Sequence, residues 1–576
     1  LEGIDVKAGP LLKRIFSRRP KLKPGLVEIH NRIGIVDDAQ FLSDKVNLLR
    51  LFEEALRTGM LIHPDAMRLV HANLDLVDDD MRNSPEARRI FLDLMLKHGN
   101  PERALRRMNE LGVISAFIPE FEPIVAMMQF NMYHHYTVDE HLLRSIGILS
   151  EIEHGELEEQ HPLSNEIMAK SPYRRELYFA LLLHDIAKGR PEDHSIAGAK
   201  VARKLCPRFG FDAEQTDLVA WLVEQHLLMS HIAQSRDLND PRTIADFSTI
   251  MQSLDRMKLL LVLTVCDIKA VGPGVWNGWK GQLLRTLYYE TEPQLTGGFT
   301  SIPRRERIAE VKQNLMDADL ELSQKDRKKI VDLHYDNYLL TVPFEEQVRH
   351  IEFIRDTDRV ERQFASMVTT REFEAITAIT IITPDHPNLL SIIAGCCAAT
   401  EANIVDAQIF TMKDGRALDT IYITRAFDTG PDENRRGERI GELIEQVLSG
   451  ETYLPDLLKG RTKPSGKVQA FTVSPKVEID NSLSDKFTVI AVQGRDRPGL
   501  LSGVAGALAD LNLNIISAHI ATFGEKVTDT FYVTDLTGHK IERPPRMKSI
   551  RERLLDVLGG ADKNTAKLSV QYAQFH

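Results

Sequence analysis

The stretch Leu181-Leu182-Leu183-His184-Asp185-Ile186-Ala187-Lys188-Gly189-Arg190 decides how this chain is read. An apolar run from Leu177 to Leu183 marks a buried helix, and Gly189 suits the left-handed cap that ends one. The run therefore delivers His184 and Asp185 to a buried helix end. Neighbouring side chains on a helix project about 100° apart, so the pair can enter one metal-filled pocket from two directions. Lys188 lies one turn beyond His184 on the same face, where an ammonium can meet a phosphate oxygen. Taken alone, a His-Asp dipeptide is also what an ordinary hydrogen-bonded pair at a helix end looks like.

A chain of 576 residues is too long for one core, and several domains are expected. An apolar content of 43% and a charged content of 27% belong to a soluble globular protein. The net charge of −11 argues against a dedicated nucleic-acid binder. The longest strongly apolar run, Leu259 to Cys266, is too short to span a bilayer, so no membrane association is expected. Four cysteines make no disulfide framework, which fits a cytoplasmic location. The chain opens on Leu1 rather than Met, and the expectation is a fragment lacking its natural N-terminus.

Residues 1–25 are basic and proline-containing and read as a linker. From about Gly25 to Gln129 the pattern is helical throughout. Asp78-Asp79-Asp80 reads as capping and solvation, with a helix start at Ser84-Pro85. In Tyr136-Thr137-Val138-Asp139-Glu140-His141, Thr137 and Glu140 form an expected capping box that places His141 at the second turn of a helix. His194 follows in a polar turn, His226 lies in the helix from Leu218, and Asp267 closes the apolar run from Leu259. A carboxylate that closes eight apolar residues must be paired or metal-bound if buried. Each group has a bland explanation by itself. Together, within about 130 residues, they form a mixed N/O set suited to a divalent metal, with Mg using mostly the carboxylates.

The order His141, His184-Asp185, Asp267 resembles the HD phosphohydrolase superfamily, and His194 and His226 match the extra histidines of its two-metal members. With Trp276-Asn277-Gly278-Trp279-Lys280 added, the chain resembles the bacterial bifunctional uridylyltransferase/uridylyl-removing enzymes of PII nitrogen signalling. No Gly-Ser turn with spaced aspartates of a nucleotidyltransferase is present, so the transferase activity of that multifunctional enzyme is expected only in a full-length parent. The resemblance implies metal ligands His141, His184, Asp185, His194, His226 and Asp267. Mg or Mn is the expected metal, with Fe as the alternative. Lys188 and Asp185 are expected to be catalytic, and Trp276 and Lys280 to contact substrate, although the tryptophans also read as plugs of a packed loop.

After residue 370 the period becomes two. Strand Ala375–Thr383, helix Leu389–Thr400, strand Ile404–Thr411, a turn at Asp414-Gly415, strand Ala417–Thr424 and a helix near Arg439–Leu448 give a ferredoxin-like order. It recurs about 111 residues on: Asp385-His386-Pro387-Asn388-Leu389-Leu390 corresponds to Asp496-Arg497-Pro498-Gly499-Leu500-Leu501, and Asp419-Thr420 to Asp529-Thr530. The second copy is expected to end in a strand, Lys567 to Tyr572. Asp-x-Pro-(Gly/Asn)-Leu-Leu resembles the signature of ACT domains, which bind small effectors. That places effector contacts at Asp385, Asn388, Leu389, Asp496, Gly499 and Leu500, with helix-start amides for a carboxylate.

The fold class expected is multidomain α and α+β: an all-helical HD phosphohydrolase domain followed by two ferredoxin-like βαββαβ ACT domains. The boundaries are a helical connector at 1–125, the HD domain at 126–365, ACT domains at 372–460 and 486–576, and a linker at 461–485. The function implied is metal-dependent removal of UMP from uridylyl-tyrosine of the PII protein, regulated by glutamine. The alternatives are an HD hydrolase of another nucleotide such as an alarmone, and a non-catalytic amino-acid-sensing platform.

Overall fold

The computed structural model describes residues 21–128, 136–238, 240–272, 275–276, 278–297, 304–372, 375–427, 429–458, 473–523 and 526–559. These residues form two bodies, one of 21–128, 136–226 and 262–272, the other of 227–261 and 275–559. Most of the basic N-terminal stretch, the expected strand Lys567–Tyr572 and most of a strand-like run at Val468–Val473 lie outside the described residues. Among the described residues no helix is long and apolar enough to cross a membrane.

The first body opens on a hairpin, β1 (Leu26–Ile29) and β2 (Arg32–Ile35), antiparallel with Leu26 opposite Ile35. A short β3 (Leu61–Ile62) joins β2 in parallel. This small sheet corrects the expectation of helix throughout. His30 and Asn31 both take positive φ, 49° and 62°, the two-residue turn whose twist suits a tight hairpin. Four-residue strands joined by His-Asn rather than Asn-Gly leave too little alternation to read. Helices follow at Asn47–Thr58, Pro64–Ala72, Pro85–Leu96 and Pro101–Glu110. Asp78 and Ser84 cap helices as the sequence indicates, accepting from the amides of Met81 and Ala87.

An aromatic cluster fastens this segment to the helices that carry the histidines. Phe91 stacks on Phe117 with ring centroids 5.2 Å apart, and Phe209 touches Phe91, Phe117 and Phe179. Arg208 donates to the Phe117 carbonyl at 2.8 Å. Each aromatic pair adds about 0.5–1.5 kcal/mol beyond its buried area. Helices Arg174–Leu183 and His194–Arg208 are thereby held at defined places on the N-terminal segment.

The second body is built on an eight-stranded sheet in the order β4-β5-β7-β6-β10-β11-β9-β8. Its first half holds β4 (Ala365–Arg371), β5 (Ile376–Pro384), β6 (Ile404–Gln408) and β7 (Arg416–Thr424), with helices Leu389–Ala399 and Gly430–Leu448. The second half repeats the plan with β8 (Lys476–Asp480), β9 (Thr488–Arg495), β10 (Leu513–Phe523), β11 (Lys526–Asp535) and helices Leu500–Asp510 and Pro544–Leu558. The strand flanking β5 comes before it, not after the last helix, so the described order is ββαββα where βαββαβ was expected. β8 stands beside β9 in the same way. The first module therefore starts at Ala365 rather than 372, and β8 lies within the stretch 461–485 read as linker. The helix expected from Arg439 starts at Gly430.

β5 is buried on both faces, which is why it reads as a nearly continuous apolar run. Ile379 and Ile381 meet the module helices, while Ile376 and Ala378 join a cluster with Trp279 and Tyr422, whose rings stack at 4.8 Å. The halves join where β6 and β10 pair through Ser517–Gln408, Ala518–Ala407 and His519–Asp406. Beside that seam Ser391 and Ser502 each donate to the other's carbonyl at 2.8 Å.

Within this body His334 stacks on Tyr338 at 3.8 Å, and Tyr338 Oη lies 2.9 Å from His350 Nδ1. Burial pushes the two imidazoles from the ordinary 6.5 down to about 3 and about 4. The unfolded chain accepts protons near 6.5 that the native cluster refuses, so stability falls as pH falls from about 6.5 toward 4. Histidine NMR should show two resonances still neutral at pH 5, each lost on His334→Asn or His350→Asn. Titration of both near 6.5 would contradict the buried-neutral cluster.

Candidate metal centre

Helix Arg174–Leu183 is buried from Glu176 to Leu183 and ends with His184 as its C-cap. The chain turns away at Gly189, where φ is +81° and a Cβ would stand 2.7 Å from Met127 Cε. His141 comes from helix Val138–Glu153, whose N-cap is Thr137. The expected capping box there is not formed. Thr137 makes no side-chain cap bond, and Glu140 meets Arg106 at 3.0 Å instead. His194, expected in a turn, is the first residue of helix His194–Arg208, capped by Asp193. His226 is the C-cap of helix Ala213–Gln225, and Asp267 lies in the last turn of helix Leu254–Ala270. Close approach of the His194 helix is possible because residue 198 is glycine: a Cβ there would meet Val223 Cγ1 at 2.9 Å.

The structure brings all six residues together in two lobes. In the first, His141 Nε2 is 3.2 Å from His184 Nε2 and 3.0 Å from Asp267 Oδ1, and His184 Nε2 is 3.6 Å from the same Asp267 oxygen. Asp185 Oδ2 faces this lobe, 3.7 Å from His141 and 3.8 Å from His184. Asp185 Oδ1 faces the second lobe, 3.7 Å from His194 Nε2 and 3.6 Å from His226 Nε2. Asp185 is common to both. Backbone carbonyls fix two of the rings: His184 Nδ1 lies 2.9 Å from Leu181 O and His226 Nδ1 2.7 Å from Val223 O. That arrangement places a proton on Nδ1 and turns Nε2 to the centre as a lone-pair donor.

Burial opposes charge on Asp185, but Lys188, whose Nζ lies 2.5 Å from Oδ2, and the surrounding histidines hold it well below the usual carboxylate range. Burial likewise opposes charge on Asp267, and His141 and His184 hold it low. Burial pushes His226 down to about 4, which leaves it neutral at pH 7. Asp185 Oδ1, His194 Nε2 and His226 Nε2 are buried without a hydrogen-bond partner. Three orphaned polar atoms cost about 1–3 kcal/mol each unless something satisfies them. The ligand atoms of His141, His184 and Asp185 lie within 4.8 Å of one another, as do those of Asp185, His194 and His226. A divalent cation fits these nitrogen and oxygen donors, and the mixed set suits Mn, Fe, Co or Zn.

Three family models match the chain: the Uridylyltransferase GlnD third domain over residues 26–117, an HD domain over 138–268 and an ACT domain over 488–552. Together they match a GlnD-type PII uridylyltransferase/uridylyl-removing enzyme, in its C-terminal region. The HD match runs from Val138 to Ile268 and contains the whole cluster. HD domains bind divalent metals, and the match and the cluster together support a metal-dependent phosphohydrolase.

The other site residues of the GlnD-type reading fall in the second body. Lys280 Nζ donates to Val275 O at 2.7 Å, and burial pushes it down to about 8. Trp276 lies against Gly281. Asn388 and Gly499 are the N-caps of helices that begin at Leu389 and Leu500, and Gly499 takes φ +80°. Asp385 accepts from Thr411 Oγ1 at 2.8 Å, and burial raises Asp496.

Because Asp185 serves both lobes, Asp185→Asn should abolish binding of Mn by the chelator-stripped protein. His194→Ala should remove only part of it. Elemental analysis after reconstitution checks this, and equal retention by both variants would exclude a shared carboxylate.

Proposed function

We propose that this chain removes UMP from uridylyl-tyrosine of a PII signalling protein at the cluster centred on Asp185, under control of glutamine at the ACT modules. What carries the reading is the two-lobed cluster within a chain that also matches the GlnD third domain. His141, His184, Asp185 and Asp267 would hold one divalent ion, and Asp185, His194 and His226 a second. A divalent metal supplies Lewis-acid polarisation of the phosphodiester and makes water acidic enough to deprotonate near neutral pH.

The protein's own groups prepare the rest. Nδ1–H bonds to Leu181 and Val223 carbonyls keep His184 and His226 in the donor tautomer. Lys188 neutralises Asp185 at rest, and it is a cation beside the centre for an anionic phosphodiester. The leaving group is a phenolate whose acid has a pKa of about 10, so it departs with less help from a general acid than an alkoxide needs. An alarmone hydrolase would share the cluster, but the GlnD third-domain match favours uridylyl-tyrosine. A sensing platform without chemistry leaves the orphaned donors unexplained.

The test is release of UMP from uridylylated PII protein by the metal-loaded chain, with and without glutamine. No release by a chain that still cleaves a simple phosphodiester would sink the substrate and leave the hydrolase class. Lys188→Ala should lower kcat roughly 100-fold with metal content intact, the usual scale for losing one charge-assisted contact in a transition state. A normal kcat would confine Lys188 to neutralising Asp185.

A further inference from the structure

The two ACT modules share a feature that the effector loops do not explain. Asp419 on β7 and Asp529 on β11 are 1% and 2% exposed. They occupy equivalent places: Asp419 stands opposite Ile381 and Asp529 opposite Val492, each four residues before its loop aspartate, Asp385 or Asp496. In the first module one short segment touches both carboxylates, because the Phe410 amide donates to Asp419 Oδ1 at 3.3 Å and Thr411 Oγ1 donates to Asp385. In the second, Asp529 Oδ1 is buried and has no hydrogen-bond partner. Burial first, and then the charge of Asp385 or Asp496, pushes each buried carboxyl up to about 8. Among the described residues no lysine or arginine pairs with any of the four. An uncompensated buried carboxyl is costly, and here the same one is built twice.

We propose that Asp419 and Asp529 are the counter-charges for the α-ammonium group of a zwitterionic amino acid, each acting with the loop aspartate of its own module. The inference rests on the reading that the ACT modules take an amino-acid effector, and it names which groups receive the ammonium. The opposite end of the ligand has its own receptor. The helices starting at Leu389 and Leu500 have N-caps that make no side-chain cap bond; their first amides donate to the carbonyls of His386 and Arg497, and the next turn of amides is what faces a carboxylate. Charge of one sign on the strand and donors on the loop make a site complementary to a zwitterion rather than to a simple anion.

Asparagine matches the neutral carboxyl in shape, so Asp419→Asn/Asp529→Asn should unfold at the same temperature as the wild type in the absence of ligand. Calorimetry with glutamine and with glutaramate, which keeps the carboxylate and amide but has no α-ammonium, reads the ammonium contact directly. Glutamine should bind the double variant at least tenfold more weakly, and the preference for glutamine over glutaramate should collapse. Unchanged glutamine affinity, or equal losses for both ligands, overturns the assignment while the effector reading stands. A wild-type chain that binds no glutamine overturns both.

Discussion

Everything in the catalytic half depends on keeping one carboxylate, Asp185, ionised inside the protein. It follows a helix buried along two turns and is itself 1% exposed, so the desolvation cost is large, and only close positive charge and good donors offset it. Lys188 supplies the charge at 2.5 Å, and four histidine nitrogens supply the surroundings. The constraint reaches outward. The aromatic cluster of Phe91, Phe117, Phe179 and Phe209 and the glycine at 198 fix helices closely enough for rings from four elements to face one side chain.

The ACT modules treat the same residue type in the opposite way. Asp185, Asp419 and Asp529 are all buried, yet the first is held far below the usual range and the other two rise to about 8. The difference lies in the neighbours. Lys188 and histidines surround Asp185, whereas Asp385 and Asp496 face the other two. Partner charge thus decides whether a buried carboxyl is held ionised or pushed toward its neutral form, with burial common to both.

The pairing of the modules adds symmetry to those two buried carboxyls. Ser391 and Ser502 bond reciprocally beside a three-pair strand seam, which sets helices Leu389–Ala399 and Leu500–Asp510 against each other. The equivalence visible in the repeat of about 111 residues is therefore an equivalence of surroundings as well. Asn388 in place of Gly499 is the main departure between the loops, and both residues end as N-caps without a side-chain cap bond.

The sequence by itself determined the elements whose cause is local. The apolar run before His184, the glycine after Lys188, the caps at Asp78 and Ser84, the turn at Asp414-Gly415 and the repeated Asp-x-Pro loop all act within a few residues. Tertiary structure decided what depends on distant partners. β3 joins β2 across about 30 residues, β4 and β8 take an edge that local pattern cannot assign, and Glu140 leaves its capping role for Arg106. Six site residues were legible as types, because a histidine or aspartate beside an apolar run is conspicuous. That Asp185 turns one oxygen to each pair of histidines was not, since it follows from how four helices pack and from nothing written near residue 185.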